Sequence, residues 1–180
     1  YLESEIIVKM PRGEAGATLK VPGLHNVKNA LAAAAAATAL DIAPQAVTAG
    51  LERFAGIKGR LQKKPALNGA TLIDDTYNAN PESVRAAVAV LAQAPSRKLL
   101  VLGDMGELGP GAPGLHAEIG EAARVAGVDH LFTLGELSVR AARAFGAEGR
   151  HFFRIEELVA EIVILLAPDL TMLVKGWRFM

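Results

Sequence analysis

From Leu61 onward the chain alternates short apolar runs with longer helix-prone stretches, and that rhythm narrows the fold more than any single residue does. Residues 70–73, 98–102, 130–134, 151–153 and 171–174 read as strands. Residues 81–94, 114–126, 137–145 and 155–166 read as the helices between them. Strands that alternate with helices of about ten residues or more specify a mostly parallel, doubly wound sheet. The expected class is α/β, a Rossmann-like sheet flanked by helices. No heptad or solenoid period competes with it.

The first third follows another pattern. Residues 5–10 and 17–21 are short β-prone runs around Pro11-Arg12-Gly13, which predicts a hairpin. Pro22-Gly23 breaks the chain, and residues 25–40 then form a helix made almost entirely of alanine. Small residues on every face let such a helix approach its neighbours closely, so burial at a sheet face is expected. Pro44 can open a second helix that runs to about Phe54. Residues 55–60 carry two glycines and no periodicity, the mark of a hinge. Two domains are therefore expected, residues 1–56 and 57–180.

Composition excludes several functions. Lysine plus arginine equals aspartate plus glutamate at 19 each, so nothing electrostatic favours nucleic acid or an anionic membrane. The absence of cysteine removes disulfide scaffolds and thiolate metal sites. Any metal would be a hard cation held by oxygen ligands, and no metal-ligating residue stands out. The longest apolar stretch, residues 31–40, is too short to span a membrane. No signal peptide opens the chain, and both ends look cut, so a fragment of a cytoplasmic protein is expected.

Polar chemistry gathers after three of the expected strands. Residues 73–81 read Ile-Asp-Asp-Thr-Tyr-Asn-Ala-Asn-Pro, an apolar run that stops in two carboxylates before a helix begins. Adjacent acids there are costly unless a cation, a ribose or a substrate amine uses them. As a plain turn, the stretch explains Asn80 as a helix cap and Pro81 as the first helical residue. It leaves Asp74, Asp75 and Asn78 without a task. Gly103-Asp104-Met105-Gly106-Glu107-Leu108-Gly109 follows a second strand, and Lys175-Gly176-Trp177-Arg178 follows a third. In a parallel sheet all three loops share the carboxyl edge, where such folds bind ligands. Acids on two loops and cations on the third suit a ligand with phosphate, carboxylate and amine groups.

No Walker A loop occurs, so a phosphate-cradling loop would have to lie upstream of Tyr1. His116, alone on a helical turn expected to be exposed, reads as structural. Asn26 reads as a cap for the alanine helix. Asn29 is harder to dismiss, because asparagine is a poor interior helix former and its amide matches an adenine edge.

With these residues in view the chain resembles the Mur ligase superfamily. Residues 25–30, His-Asn-Val-Lys-Asn-Ala, look like that superfamily's His-Asn-x-x-Asn-Ala helix. Lys58-Gly59-Arg60, residues 74–81, residues 102–109 and Lys175-Gly176 follow in the family's order. The second and third of these are similar to the branch that joins D-Ala-D-Ala to UDP-MurNAc-tripeptide. The resemblance implies a three-domain cytoplasmic enzyme, a monomer, that finishes the soluble peptidoglycan precursor. ATP with Mg²⁺ would activate the peptide carboxylate as an acyl phosphate, which the dipeptide amine attacks. It also implies that residues 1–56 end the central ATP-binding domain and residues 57–180 form the C-terminal Rossmann-like domain.

Carried over residue by residue, Asn29 would contact adenine, Arg60 ATP phosphate and Asp75 the ribose. Asn78 and Asn80 would line the same nucleotide-facing loop. Asp104 and Lys175 fall where the incoming dipeptide should lie. The family's P-loop and its metal-binding modified lysine have no counterpart in these residues, so this chain alone is not expected to ligate anything. Trp177 stands where the family carries serine after Lys-Gly. Two other readings remain open: a superfamily ligase for a different amino acid, and a non-catalytic Rossmann-like binding module.

Overall fold

The computed structural model describes residues 3–176, so Trp177 and Arg178 of the third loop lie outside the described residues. The chain divides into two compact units between Ile57 and Lys58.

In the first unit, β1 (Ser4–Met10) and β2 (Gly13–Leu19) pair antiparallel, in register from Ser4↔Leu19 to Met10↔Gly13. Pro11 and Arg12 make the turn. The hairpin therefore extends through Glu14, Ala15 and Gly16, residues that carry no strand signal themselves and are recruited by pairing with β1. Helices α1 (Leu24–Ala39) and α2 (Pro44–Arg53) pack on it. Val8, Ala34 and Val47 form one buried cluster, and Leu19, Val21 and Ala30 another. The burial expected of the alanine helix at a sheet face is confined to one stripe among the described residues. Only Ala30 and Ala34 of α1 are buried, and Leu31 stays 61% exposed, because a hairpin and one helix cover a single stripe of it.

The second unit holds a six-stranded sheet in the order β3-β4-β8-β5-β6-β7. Its strands are β3 (Gln62–Pro65), β4 (Thr71–Asp74), β5 (Arg97–Leu102), β6 (His130–Leu134), β7 (Gly149–Phe152) and β8 (Leu170–Lys175). All neighbours are parallel except β3, which runs antiparallel to β4. β3 is a strand that the apolar rhythm does not announce. Its Gln-Lys-Lys-Pro sequence suits an edge, where cations and a proline discourage further pairing.

The helices are α3 (Pro81–Ala92), α4 (Ala112–Val125), α5 (Val139–Phe145) and α6 (Ile155–Leu165). From β4 through β7 the chain advances in one direction across the sheet, so right-handed crossovers put α3, α4 and α5 on one face. The return from β7 to β8 reverses direction and sends α6 to the other. There Leu158, Ile162 and Leu165 pack on Leu99, Val101, Phe132, Phe152 and Met172. Alternate residues Ile73, Leu100, Leu102, Leu131 and Leu173, all fully buried, face α3–α5.

Gly120 lets α4 and α5 touch. A Cβ there would fall inside the backbone carbonyl of Ala141, which cannot swing aside as a side chain could. Gly114 in the same helix faces open space. Gly120→Ala is expected to destabilise, because overpacking costs about 1–3 kcal/mol and outweighs the gain of up to about 1 kcal/mol in helix propensity. Gly114→Ala should stabilise by a few tenths of that gain or more. Urea midpoints that move in opposite directions would confirm the pair; two shifts of one sign would refute it.

Candidate functional site

The carboxyl ends of β4, β8 and β5 are level, with Asp74 paired to Val174 and Leu102 to Lys175. The loops that follow are tied together at their first residues. Asp75 N donates to Val174 O at 3.0 Å, and Gly103 N donates to Lys175 O at 2.8 Å. The three polar loops thus share one edge, as the parallel order requires.

Lys175 ends β8 on the α3 side of the sheet and is 3% exposed. Its Nζ donates to Asp75 Oδ2 at 2.5 Å and to Asn78 O at 2.9 Å. Asp75, 7% exposed, accepts Leu61 N on its other oxygen at 3.2 Å. The carry-over from the family placed Asp75 on a ribose and Lys175 near a dipeptide. The geometry gives each of them to the other, and a direct ligand contact would have to compete with a buried ion pair. Together they bind residues 59–61, 75–78 and 175 into one unit.

Asp74 has a separate task. It accepts from Lys64 Nζ across the edge strand, and from Thr76 N and Thr76 Oγ1 at 3.2 and 2.7 Å. Burial alone would push its carboxyl up, but the hydrogen bonds from Lys64 and Thr76 together hold it below the ordinary value. Asn80 accepts Ser83 N at 2.8 Å while Ser83 Oγ accepts Asn80 N, a complete capping box with Pro81 at the first helical position. Asn78 is exposed, and its Oδ1 accepts Ala79 N at 2.8 Å.

The segment before β3 reaches over this loop. Gly59 takes φ +71°, and its carbonyl accepts Tyr77 N at 2.9 Å. The Arg60 guanidinium then sits over the Tyr77 ring, with Cζ 4.1 Å from the centroid. Both residues are exposed. Tyr77 carries no signal of this in the sequence, because the contact spans seventeen positions and depends on the antiparallel edge strand between them.

Asp104 does not open toward solvent chemistry. Its carboxylate accepts the backbone N–H groups of Glu136, Leu137 and Ser138, with Ser138 N at 2.7 Å. Those amides lead directly into α5, with Ser138 at its N-cap, so Asp104 places an anion just before a helix N-terminus, which favours one. Gly135, at φ +127°, leaves room for it; a Cβ there would occupy the carboxylate's position. Sequence reading missed this fourth loop, for which Gly135 after Leu134 is the available signal.

His116 is fully buried rather than on an exposed turn. Its Nε2 accepts Met105 N at 2.9 Å, so Nδ1 carries the proton and donates to Ala112 O at 2.7 Å. Its task is structural: it holds the loop after β5 against α4. Asn26 is not the cap expected for α1. Gly23 occupies that position, and Asn26 Nδ2 donates back to Pro22 O at 2.7 Å. Asn29, in the first unit, is exposed and donates weakly to Asn26 Oδ1 at 3.4 Å.

Among the described residues no cluster of three or more histidine or acidic side chains could hold a metal ion. A cation held mainly by phosphate oxygens and water needs fewer protein ligands than such a cluster supplies. An anionic ligand is different: a guanidinium seated on a ring face donates through its edge, which suits phosphate oxygens.

Comparison with known proteins places this geometry in a family. Residues 59–178 match the model of the Mur ligase, glutamate ligase domain. The chain is 39% identical over 177 residues to the UDP-N-acetylmuramoyl-tripeptide–D-alanyl-D-alanine ligase of Escherichia coli, covering 97% of this chain and 39% of that protein. A shorter match, 44% over 85 residues, joins it to the UDP-N-acetylmuramate–L-alanine ligase of Lachnospira eligens, covering 47% of this chain and 18% of that protein. A crystal structure of MurF from Acinetobacter baumannii superposes with a TM-score of 0.88 at 34% identity, over 99% of this chain and 40% of that one. The chain spans about two fifths of the length of the MurF relatives it matches. Sequence and fold agree: the chain belongs to the Mur ligase family, with the glutamate ligase domain over residues 59–178.

Proposed function

We propose that this chain is the C-terminal part of a cytoplasmic, monomeric ligase that joins D-Ala-D-Ala to UDP-MurNAc-tripeptide at the expense of ATP. Residues 1–57 would end its central ATP-binding domain, and the second unit would be its C-terminal domain. One observation carries the reading. The sequence match to a ligase of that name runs through 177 residues and both units at 39% identity, whereas the sequence match to the L-alanine ligase of Lachnospira eligens covers 85.

ATP would supply an acyl phosphate, turning a poorly electrophilic carboxylate into one with a good leaving group. Mg²⁺ would arrive with the nucleotide phosphates. The chain's own contribution is to bind and orient. Arg60 would donate to a nucleotide phosphate, Asn29 would meet the adenine edge, and Asn78 would line the loop beside the nucleotide. Asp75 and Lys175 would set the shape of that loop from beneath, and Asp104 would do the same for its neighbour. Asn80 would fix the point where the loop becomes helix.

The test is phosphate release by the full-length protein with ATP, Mg²⁺ and UDP-MurNAc-tripeptide. Release should require D-Ala-D-Ala and ignore L-alanine and glutamate. Arg60→Ala should raise the KM for ATP about 10- to 100-fold, the worth of a hydrogen bond to a charged group. Release driven by L-alanine would favour the second kind of ligase. No amine-dependent release from folded protein would leave a binding module.

A further inference from the structure

Arg60 is fixed at both ends. On the backbone side, Gly59 O accepts Tyr77 N at 2.9 Å and Leu61 N donates to Asp75 Oδ1 at 3.2 Å, so hydrogen bonds to one loop flank its Cα. At the other end its guanidinium rests on the Tyr77 ring at 4.1 Å. No carboxylate among the described residues pairs with Arg60, whereas Arg12, Arg85, Arg97 and Arg150 each hold one. A cation on an aromatic face keeps its charge uncompensated and its N–H edge available, while a carboxylate would occupy both.

We propose that Tyr77 is a positioning residue: its ring presents the Arg60 guanidinium to a phosphate of the bound nucleotide. The inference rests on the phosphate role given to Arg60 above. The ring itself need not touch the ligand. It holds a long, rotamer-rich side chain in the orientation that binding requires, so that less freedom is lost when the anion arrives. The contact with Arg60 is made by the π face, which a phenylalanine ring also offers. Aromaticity at position 77 should therefore matter, and the phenol oxygen should not.

The experiment measures binding of ADP and of a non-hydrolysable ATP analogue to the full-length protein by calorimetry. Tyr77→Leu should weaken binding about two- to fivefold, the range of an exposed cation–π contact, and Tyr77→Phe should restore it. In the Arg60→Ala background Tyr77→Leu should add nothing further. A ligand-free readout accompanies these. The Arg60 side-chain N–H resonance should be shifted by the ring current in the parent and in Tyr77→Phe, and should relax to its ordinary position in Tyr77→Leu. If Arg60→Ala leaves both affinities unchanged, the phosphate role of Arg60 falls and this inference falls with it. If Arg60→Ala weakens binding but Tyr77→Leu is silent, or is equally harmful without Arg60, only the positioning role is overturned. An Arg60 resonance indifferent to residue 77 also overturns it.

Discussion

Lys175→Met is expected to cost about 3–5 kcal/mol of stability, because it leaves the Asp75 carboxylate buried without its cation. Lys175 is 3% exposed and Asp75 7%, so water cannot readily replace the lost partner. The methionine also leaves Asn78 O without the donor that now reaches it at 2.9 Å. Asp75→Asn should be destabilising as well, since it strands a buried ammonium, although an amide oxygen could still accept Leu61 N. The double variant Asp75→Asn/Lys175→Met removes both charges and should lose clearly less than the sum of the single losses. Denaturant midpoints of the four proteins measure this coupling. Additive losses would mean that the pair contributes little. A Lys175→Met protein of full stability that fails to ligate would instead make Lys175 a group that meets the substrate.

This pair also shows where sequence reading stops. Asp75 and Lys175 stand a hundred residues apart, and strand order is what joins them. The rhythm of apolar runs made β4, β5, β6 and β8 legible, and parallel order then put three polar loops on one edge. It could not show that β8 inserts between β4 and β5, because that depends on the reversal of the chain after β7. Nor could it separate a carboxylate aimed at solvent from one that serves the protein's own groups: Asp104 accepts backbone amides, and Asp75 accepts Leu61 N and the Lys175 ammonium. Asn80 was readable as a cap because capping is local and depends on three residues. Arg60 over Tyr77 was not, since an edge strand without apolar residues brings them together. The alanine helix misled in the other direction: small residues permit close packing on every face without requiring it, and α1 buries two of them.

Asp104→Ala should cost about 2–4 kcal/mol, since it deprives three successive amides of one shared anionic acceptor. The loss is smaller than three separate charged hydrogen bonds would give, because Glu136 N lies near the surface and water can recover part of it. Asp104→Asn keeps an acceptor oxygen but loses the charge that suits the start of α5, so it should cost about 1 kcal/mol. Hydrogen exchange separates the local effect from the global one. The amides of residues 136–138 should lose protection in Asp104→Ala by more than amides in β5 or β8 do. Gly135→Ala should reproduce the pattern with Asp104 retained, because the new Cβ would displace the carboxylate. If Asp104→Ala left stability and exchange unchanged while weakening use of the dipeptide, the carboxylate would belong to the ligand and not to the fold. The geometry favours the fold: Asp104 is bound on both oxygens to the loop after β6, and it thereby sets the position of the loop that carries it.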